Sequence, residues 1–362
     1  MTHAHAGPIC TMYMAGMGAE IIKIEPQWGD MTRMFPPLIK GQSPYFMFLD
    51  RGKKGVTLDL KNPEGKEIFK EMVKKSDIVM ENFSPRTMER LDLGWEVLKE
   101  LNPRIIYASI SGFGHTGPWK DRRSFDPIAQ ATSGYMWLMK DAINPNGPPL
   151  QAPDALADTI PGLVCLIGIL AALMSRNVTG KGQRVDVAQM DSMIANMQSF
   201  SFWNIAKTSY ITAGRAGVGG LRKAKEGYVM FSITPGRIND WFRELLGVEE
   251  LNKETVDTWV ANKTVDTVVD VLEKIGVPVG KVMDLDEAQN STQAVAREMF
   301  VKVTHPVLGE IIEPGFPIKF SDTKADLAVP APLLGEHNVE VFSSLLEISL
   351  ERLEELRKKG VI

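Results

Sequence analysis

Cysteine is scarce: 362 residues contain only Cys10 and Cys165. Two cysteines make neither a disulfide framework nor a metal-ligand spacing. Cys165 lies inside an apolar run, where a thiol serves as a small core residue, and the chain reads as cytoplasmic. The five histidines, His3, His5, His115, His305 and His337, show no H-E-x-x-H spacing, and no G-x-S-x-G occurs. Zinc hydrolysis and serine triad chemistry are therefore unsupported, and no metal is expected. The net charge is −4 and no basic tract is present, which argues against a nucleic-acid partner. The longest apolar run, 163–174, falls short of the roughly 20 residues that span a bilayer. No basic segment followed by an apolar run opens the chain, so neither a membrane nor a signal peptide is expected.

What is present is ordinary globular composition, 44% apolar and 24% charged, at a length that suggests two domains. Residues 19–24, 56–60, 77–80, 104–110 and 184–187 read as strands. Helices read over 63–76, 87–101, 157–176 and 190–205. The βαβα alternation predicts an α/β fold, a doubly wound parallel sheet in a Rossmann-like large domain over 1–205. Residues 206–226, rich in Gly, Lys and Arg, read as a linker. A smaller α+β domain follows over 227–330, with a strand at 228–233, helices at 238–246 and 265–275, and a hairpin over 300–303 and 307–312. Residues 331–362 read as a linker and terminal helices returning to the large domain. The opening Met1-Thr2-His3-Ala4-His5-Ala6-Gly7-Pro8 reads as loop where such a domain normally starts with a strand, so a preceding first strand is expected.

Gly112-Phe113-Gly114-His115-Thr116-Gly117 matches G-x-G-x-x-G after a strand. A dinucleotide site also needs a helix opening there to receive the pyrophosphate. The chain continues Pro118-Trp119-Lys120-Asp121-Arg122-Arg123 without apolar periodicity, so a close-approach turn is the better reading and an NAD-dependent oxidoreductase the remote one. Thr179-Gly180-Lys181-Gly182-Gln183 is a helix-to-strand turn, not a P-loop. Asp158 stands just ahead of the long apolar run. A carboxylate there either caps the helix or attacks an activated acyl group. With a reference pKa near 4 it would already be an anion at neutral pH and need no general base.

Several stretches together resemble the class III CoA-transferases. They are Met17-Gly18-Ala19-Glu20-Ile21-Ile22-Lys23-Ile24-Glu25-Pro26, Gly29-Asp30-Met31-Thr32-Arg33 and Leu58-Asp59-Leu60-Lys61. Next come Glu81-Asn82-Phe83-Ser84-Pro85, Ser109-Ile110-Ser111-Gly112-Phe113-Gly114 and Ala157-Asp158. Thr179-Gly180-Lys181-Gly182-Gln183 and Leu334-Gly335-Glu336-His337 complete the set. The resemblance implies transfer of CoA from an acyl-CoA to a small carboxylic acid, with CoA as substrate and no permanently bound cofactor. It implies an intertwined homodimer with its site between large and small domains. It places Asp158 on the family's aspartate nucleophile, and Arg33, Leu60, Lys61, Asn82, Phe83, Arg90 and Arg123 at or near positions lining the CoA site. His5 falls where formyl-CoA-specific members carry a glutamine, and with the turn at 159–162 it would stabilise oxyanions. Phe125 falls where the family's racemases carry a histidine base, so transfer is favoured over α-methylacyl-CoA racemisation. A non-catalytic acyl-CoA-binding relative is the third alternative. Gly217-Val218-Gly219-Gly220 lies where such transferases carry a glycine loop, but is shorter and more basic.

Overall fold

The computed structural model describes residues 1–207, 219–233 and 236–362. They form two units, Met1–Met197 with Glu298–Ile362, and Gln198–Arg297. In the first unit β1 (Ile21–Glu25) pairs in parallel with β2 (Lys53–Thr57). A separate parallel sheet has the order β3 (Ile78–Glu81), β4 (Ile106–Ser111), β5 (Arg184–Ala188). The fold is thus mixed α/β, with the expected parallel strands divided between two sheets. Residues 106–110 of β4, covered on both faces, are buried throughout, which is why they read as a continuous apolar run. β2 starts earlier than the apolar pattern suggests because Lys53 is itself a buried strand residue, paired with Asp50.

Two helices carry the N-terminal half of the site. Ala6–Gly16 is apolar nearly all round and buried along most of its length, so it has no amphipathic period to mark it, and its first residues read as part of the opening loop. It packs against the long helix Leu156–Thr179, which also lies on β4 and β5. The two helices touch at Gly162, where an added Cβ would stand 2.3 Å from Ile9 Cγ2 and 2.7 Å from the Ala6 carbonyl oxygen. The long helix has 24 residues and meets the length and hydropathy of a membrane span. Ala157, Asp158, Cys165, Leu166, Ile169 and Arg176 are nevertheless buried in protein. It ends at Gly180 in the left-handed region, φ 72°, a conformation glycine adopts without penalty.

The C-terminal segment completes the first unit. His337 N donates to the Gly55 carbonyl at 3.0 Å and Thr57 N donates to Asn338 Oδ1 at 2.8 Å, tying the segment to β2. The hairpin β9 (Phe300–His305) and β10 (Gly309–Pro314) belongs to this unit, whereas the sequence boundaries put it in the small domain.

In the second unit, β6 (Gly220–Lys223), β7 (Tyr228–Phe231) and β8 (Val279–Lys281) form an antiparallel sheet. Phe231, Phe242, Val256, Val268 and Leu272 make its core. The stretch read as a linker therefore contributes a strand, and its residues 208–218 lie outside the described residues, as do Gly217 and Val218 of the expected glycine loop. The single helix expected over 190–205 is two, Gln189–Ala195 and Ser199–Ala206.

Candidate active site

Asp158 sits in the first turn of Leu156–Thr179, but it does not cap the helix. The N-cap is Ala155, which has no side-chain hydrogen bond and lies with Asp154 in the left-handed region. Asp158 is only 6% exposed, and its Oδ1 accepts from Gln189 Nε2, on the helix that follows β5. Burial pushes its carboxyl up to about 7; the negative charge of Asp126 acts in the same direction and the Gln189 amide opposes both. This corrects the expectation of a carboxylate that is simply an anion at neutral pH: desolvation favours its neutral form.

The anion that does use the helix N-terminus is Asp126. It opens the helix Asp126–Thr132, and its Oδ1 accepts from Ala157 N at 2.7 Å. Gln130 Nε2 donates to both Asp126 oxygens, at 3.1 and 2.9 Å, and Gln151 Nε2 donates to Oδ2 at 3.3 Å. Gln130 also exchanges hydrogen bonds with the Ala152 backbone, at 2.8 and 3.1 Å. The strained turn 154–155 is thus held by one buried side-chain network. Sequence reasoning did not single out Asp126; its signal was an acid followed by Pro127 at a helix start.

His5 is buried at the N-cap of Ala6–Gly16. Its Nε2 meets Thr159 Oγ1 at 2.9 Å and its Nδ1 meets Tyr45 Oη at 3.1 Å. Desolvation lowers it to about 4, so it is a neutral imidazole at physiological pH, and burial likewise raises the Tyr45 phenol. Backbone donors at and just ahead of the turn 159–162 are engaged within the protein. Asp158 N and Thr159 N both donate to the Ala155 carbonyl, at 3.0 and 2.9 Å, Ala157 N is held by Asp126, and Pro161 has no N–H.

Asp158 and Gln189 line a pocket of about 140 Å³ together with His3, Asn82, Phe83, Gly112, Arg122, Arg123 and Phe125. Three of the sequence candidates, Asn82, Phe83 and Arg123, therefore meet Asp158 there. Asn82 exchanges hydrogen bonds with the His3 backbone at 2.8 Å, and Phe83 stacks on His3 with ring centroids 5.6 Å apart. Arg90 is exposed and turned back on Pro85 and Thr87. Lys61 is exposed and Leu60 packs on the core around Val56 and Leu58. Neither they nor Arg90 line this pocket. Arg33 forms a bidentate pair with Glu25, both contacts 2.7 Å, and lies 3.7 Å over the Phe46 ring. The pair belongs to a buried charge cluster in which Lys23 and Lys53 share Asp50 and Lys23 also holds Asp30. A larger cavity of about 410 Å³ lies elsewhere in the first unit, its wall carrying Glu64, Glu67 and Glu71 together with Lys75 and Arg352.

Two alternatives lose support from this geometry. Phe125 is 53% exposed at the pocket, and its ring cannot accept a proton, as a racemase base must. After the glycine-rich loop no helix opens until Asp126, so a dinucleotide has no helix N-terminus at the loop. Instead Gly114 N donates to Ser111 Oγ, while His115 is pinned through its Nδ1 and backbone N to Asp186.

A family model described as CoA-transferase family III matches residues 1–338. The chain belongs to CoA-transferase family III. It is 32% identical over 407 aligned positions to a formyl-CoA:oxalate CoA-transferase of Streptomyces avermitilis, covering 100% of this chain and 97% of the relative. An acyl-CoA transferase of Fusarium pseudograminearum is 32% identical, with 99% and 85% covered. Among solved structures, a CAIB/BAIF family protein from Brucella suis matches with TM-score 0.82 and 29% identity, over 95% of this chain and 97% of that one. The CoA-transferase family chain is accordingly an enzyme acting on CoA thioesters.

Proposed function

We propose that this enzyme moves CoA from a small acyl-CoA to a small carboxylic acid through Asp158. The observation that carries the reading is the position of Asp158, buried beside Gln189 in a pocket with Asn82, Phe83, Arg122 and Arg123. An Asp158 oxygen attacks the thioester carbonyl, the C–S bond breaks, and a mixed anhydride and CoA thiolate result. The thiolate attacks the aspartyl carbonyl and displaces the donor acid as its carboxylate, leaving an aspartyl-CoA thioester. The acceptor carboxylate attacks that thioester, giving a second anhydride and CoA thiolate. The thiolate then takes the acceptor acyl group and releases the Asp158 carboxylate. Gln189 Nε2, rather than the engaged turn amides, supplies the donor nearest the reacting carboxyl. Neutral His5 holds Thr159 and Tyr45 in place beside it.

Arg123 and Arg122 supply the cations that read CoA phosphates. The formyl-CoA and oxalate named for relatives are the first substrates to try. The long helix presents Ile167, Leu170, Met174 and Val178 to solvent on one face, with Val178 88% exposed. That stripe fits burial against a second copy in a cytoplasmic homodimer. The test is to incubate the protein with formyl-CoA and a series of acids and to follow the thioesters by mass spectrometry. Formation of the acceptor's thioester, dependent on Asp158, supports transfer. Hydrolysis alone, or thioester exchange unchanged in Asp158→Asn, refutes it.

A further inference from the structure

Asp126 takes the part that a capping residue would take, without touching the presumed reacting atoms. Its carboxylate fills the Ala157 N–H one residue before Asp158, at 2.7 Å, and so uses a helix N-terminal donor that would otherwise stabilise a nearby anion. It is 6% exposed and anchored by Gln130 and Gln151. Gln130 in turn fixes the backbone at Ala152, just before the left-handed Asp154 and Ala155.

We propose that Asp126 is a positioning residue with two separable effects on the nucleophile. Its hydrogen bond fixes the turn that aims Asp158, and its negative charge, together with the loss of the helix donor, opposes ionisation of the Asp158 carboxyl. The inference rests on the reading of Asp158 as nucleophile. The groups facing this region agree with such an assignment. His5 and Tyr45 are neutral at physiological pH because burial shifts both away from ionisation. Thr159 and Gln189 are uncharged. Asp154, at the strained turn, is the other acid facing His5. The cations on the pocket wall are Arg122 and Arg123, and His3 there is shifted toward its neutral form by desolvation.

Two substitutions separate the effects. Asp126→Asn keeps an oxygen for Ala157 N–H, removes the charge and replaces the oxygen that accepts from Gln130 and Gln151 with an NH2; Asp126→Ala removes every contact of the carboxylate. Each is assayed for kcat, KM and the pH dependence of transfer, with hydroxylamine trapping of the Asp158 peptide across the same pH range. Asp126→Asn should lower kcat at high pH by less than Asp126→Ala does while moving the acid limb down by about one pH unit. Asp126→Ala should lose about 10- to 100-fold in kcat at every pH, with KM for acyl-CoA little changed. An acid limb unmoved in Asp126→Asn overturns the charge effect, and full kcat in Asp126→Ala overturns the positioning effect. If Asp126→Ala fails to fold, Gln130→Leu tests the same turn and should lower kcat without moving the limb; an unchanged kcat overturns the positioning effect. Unaltered turnover in Asp158→Asn would instead refute the nucleophile reading itself, so the two failures are distinct.

Discussion

Asp158→Asn should make the protein more stable, by an amount that grows with pH. The carboxyl is pushed from 3.8 to about 7 mainly by burial, so the folded state prefers its neutral form. A raised acid contributes stability that is full below the unfolded value and is lost as pH rises to the folded value. At about 1.4 kcal/mol per unit, complete ionisation costs the folded state about 4 kcal/mol. Between about pH 5 and pH 8 the loss is roughly 2–3 kcal/mol, because at pH 5 the unfolded chain has already released most of its proton. The amide keeps the shape and carries no charge at any pH. Urea unfolding of both proteins, followed by circular dichroism from pH 5 to pH 8, isolates the effect as the difference between their stabilities. A difference that widens by about 2 kcal/mol or more over this range supports the assignment. A difference independent of pH would show that Asp158 is ionised throughout, as an ordinary surface carboxylate is, and the electrostatic account of the site would fall.

Other outcomes follow from single contacts. His5→Ala leaves Thr159 and Tyr45 without their shared partner and should cost about tenfold in kcat, whereas His5→Gln should retain most activity. Because His5 is lowered to about 4, the inflection of the rate profile near neutrality should be the same in His5→Gln as in the parent. Gly162→Ala forces a Cβ against the Ala6 carbonyl and should destabilise by about 2–3 kcal/mol in thermal or urea unfolding. Arg33→Lys loses the fork to Glu25 and the contact with Phe46. It should lower stability by about 2 kcal/mol while changing KM for acyl-CoA less than Arg123→Ala does.

The parallel strands were legible because β4 and its neighbours are short, apolar and bounded by turn residues. The helix Ala6–Gly16 was not, since a helix buried nearly all round has no polar face to give it a period. The hairpin at 300–314 was legible as a hairpin but not as part of the first unit, because pairing is local and packing is not. Asp158 could be picked out by its place before an apolar run. Its environment could not, since Asp126, Gln189 and His5 come from three other segments and burial decides its charge. Arg33 shows how a cation within a recognisable motif reads from sequence as a ligand binder, while its pairing with the buried Glu25 is visible only in the fold.

The most direct test of the central claim is covalent trapping. The protein is mixed with formyl-CoA, or another short acyl-CoA that it turns over, and quenched with hydroxylamine. The peptide containing Asp158 is then examined by mass spectrometry. The account predicts hydroxamate at Asp158, dependent on acyl-CoA and absent in Asp158→Asn together with turnover. Turnover without modification at Asp158, undiminished in Asp158→Asn, would contradict it.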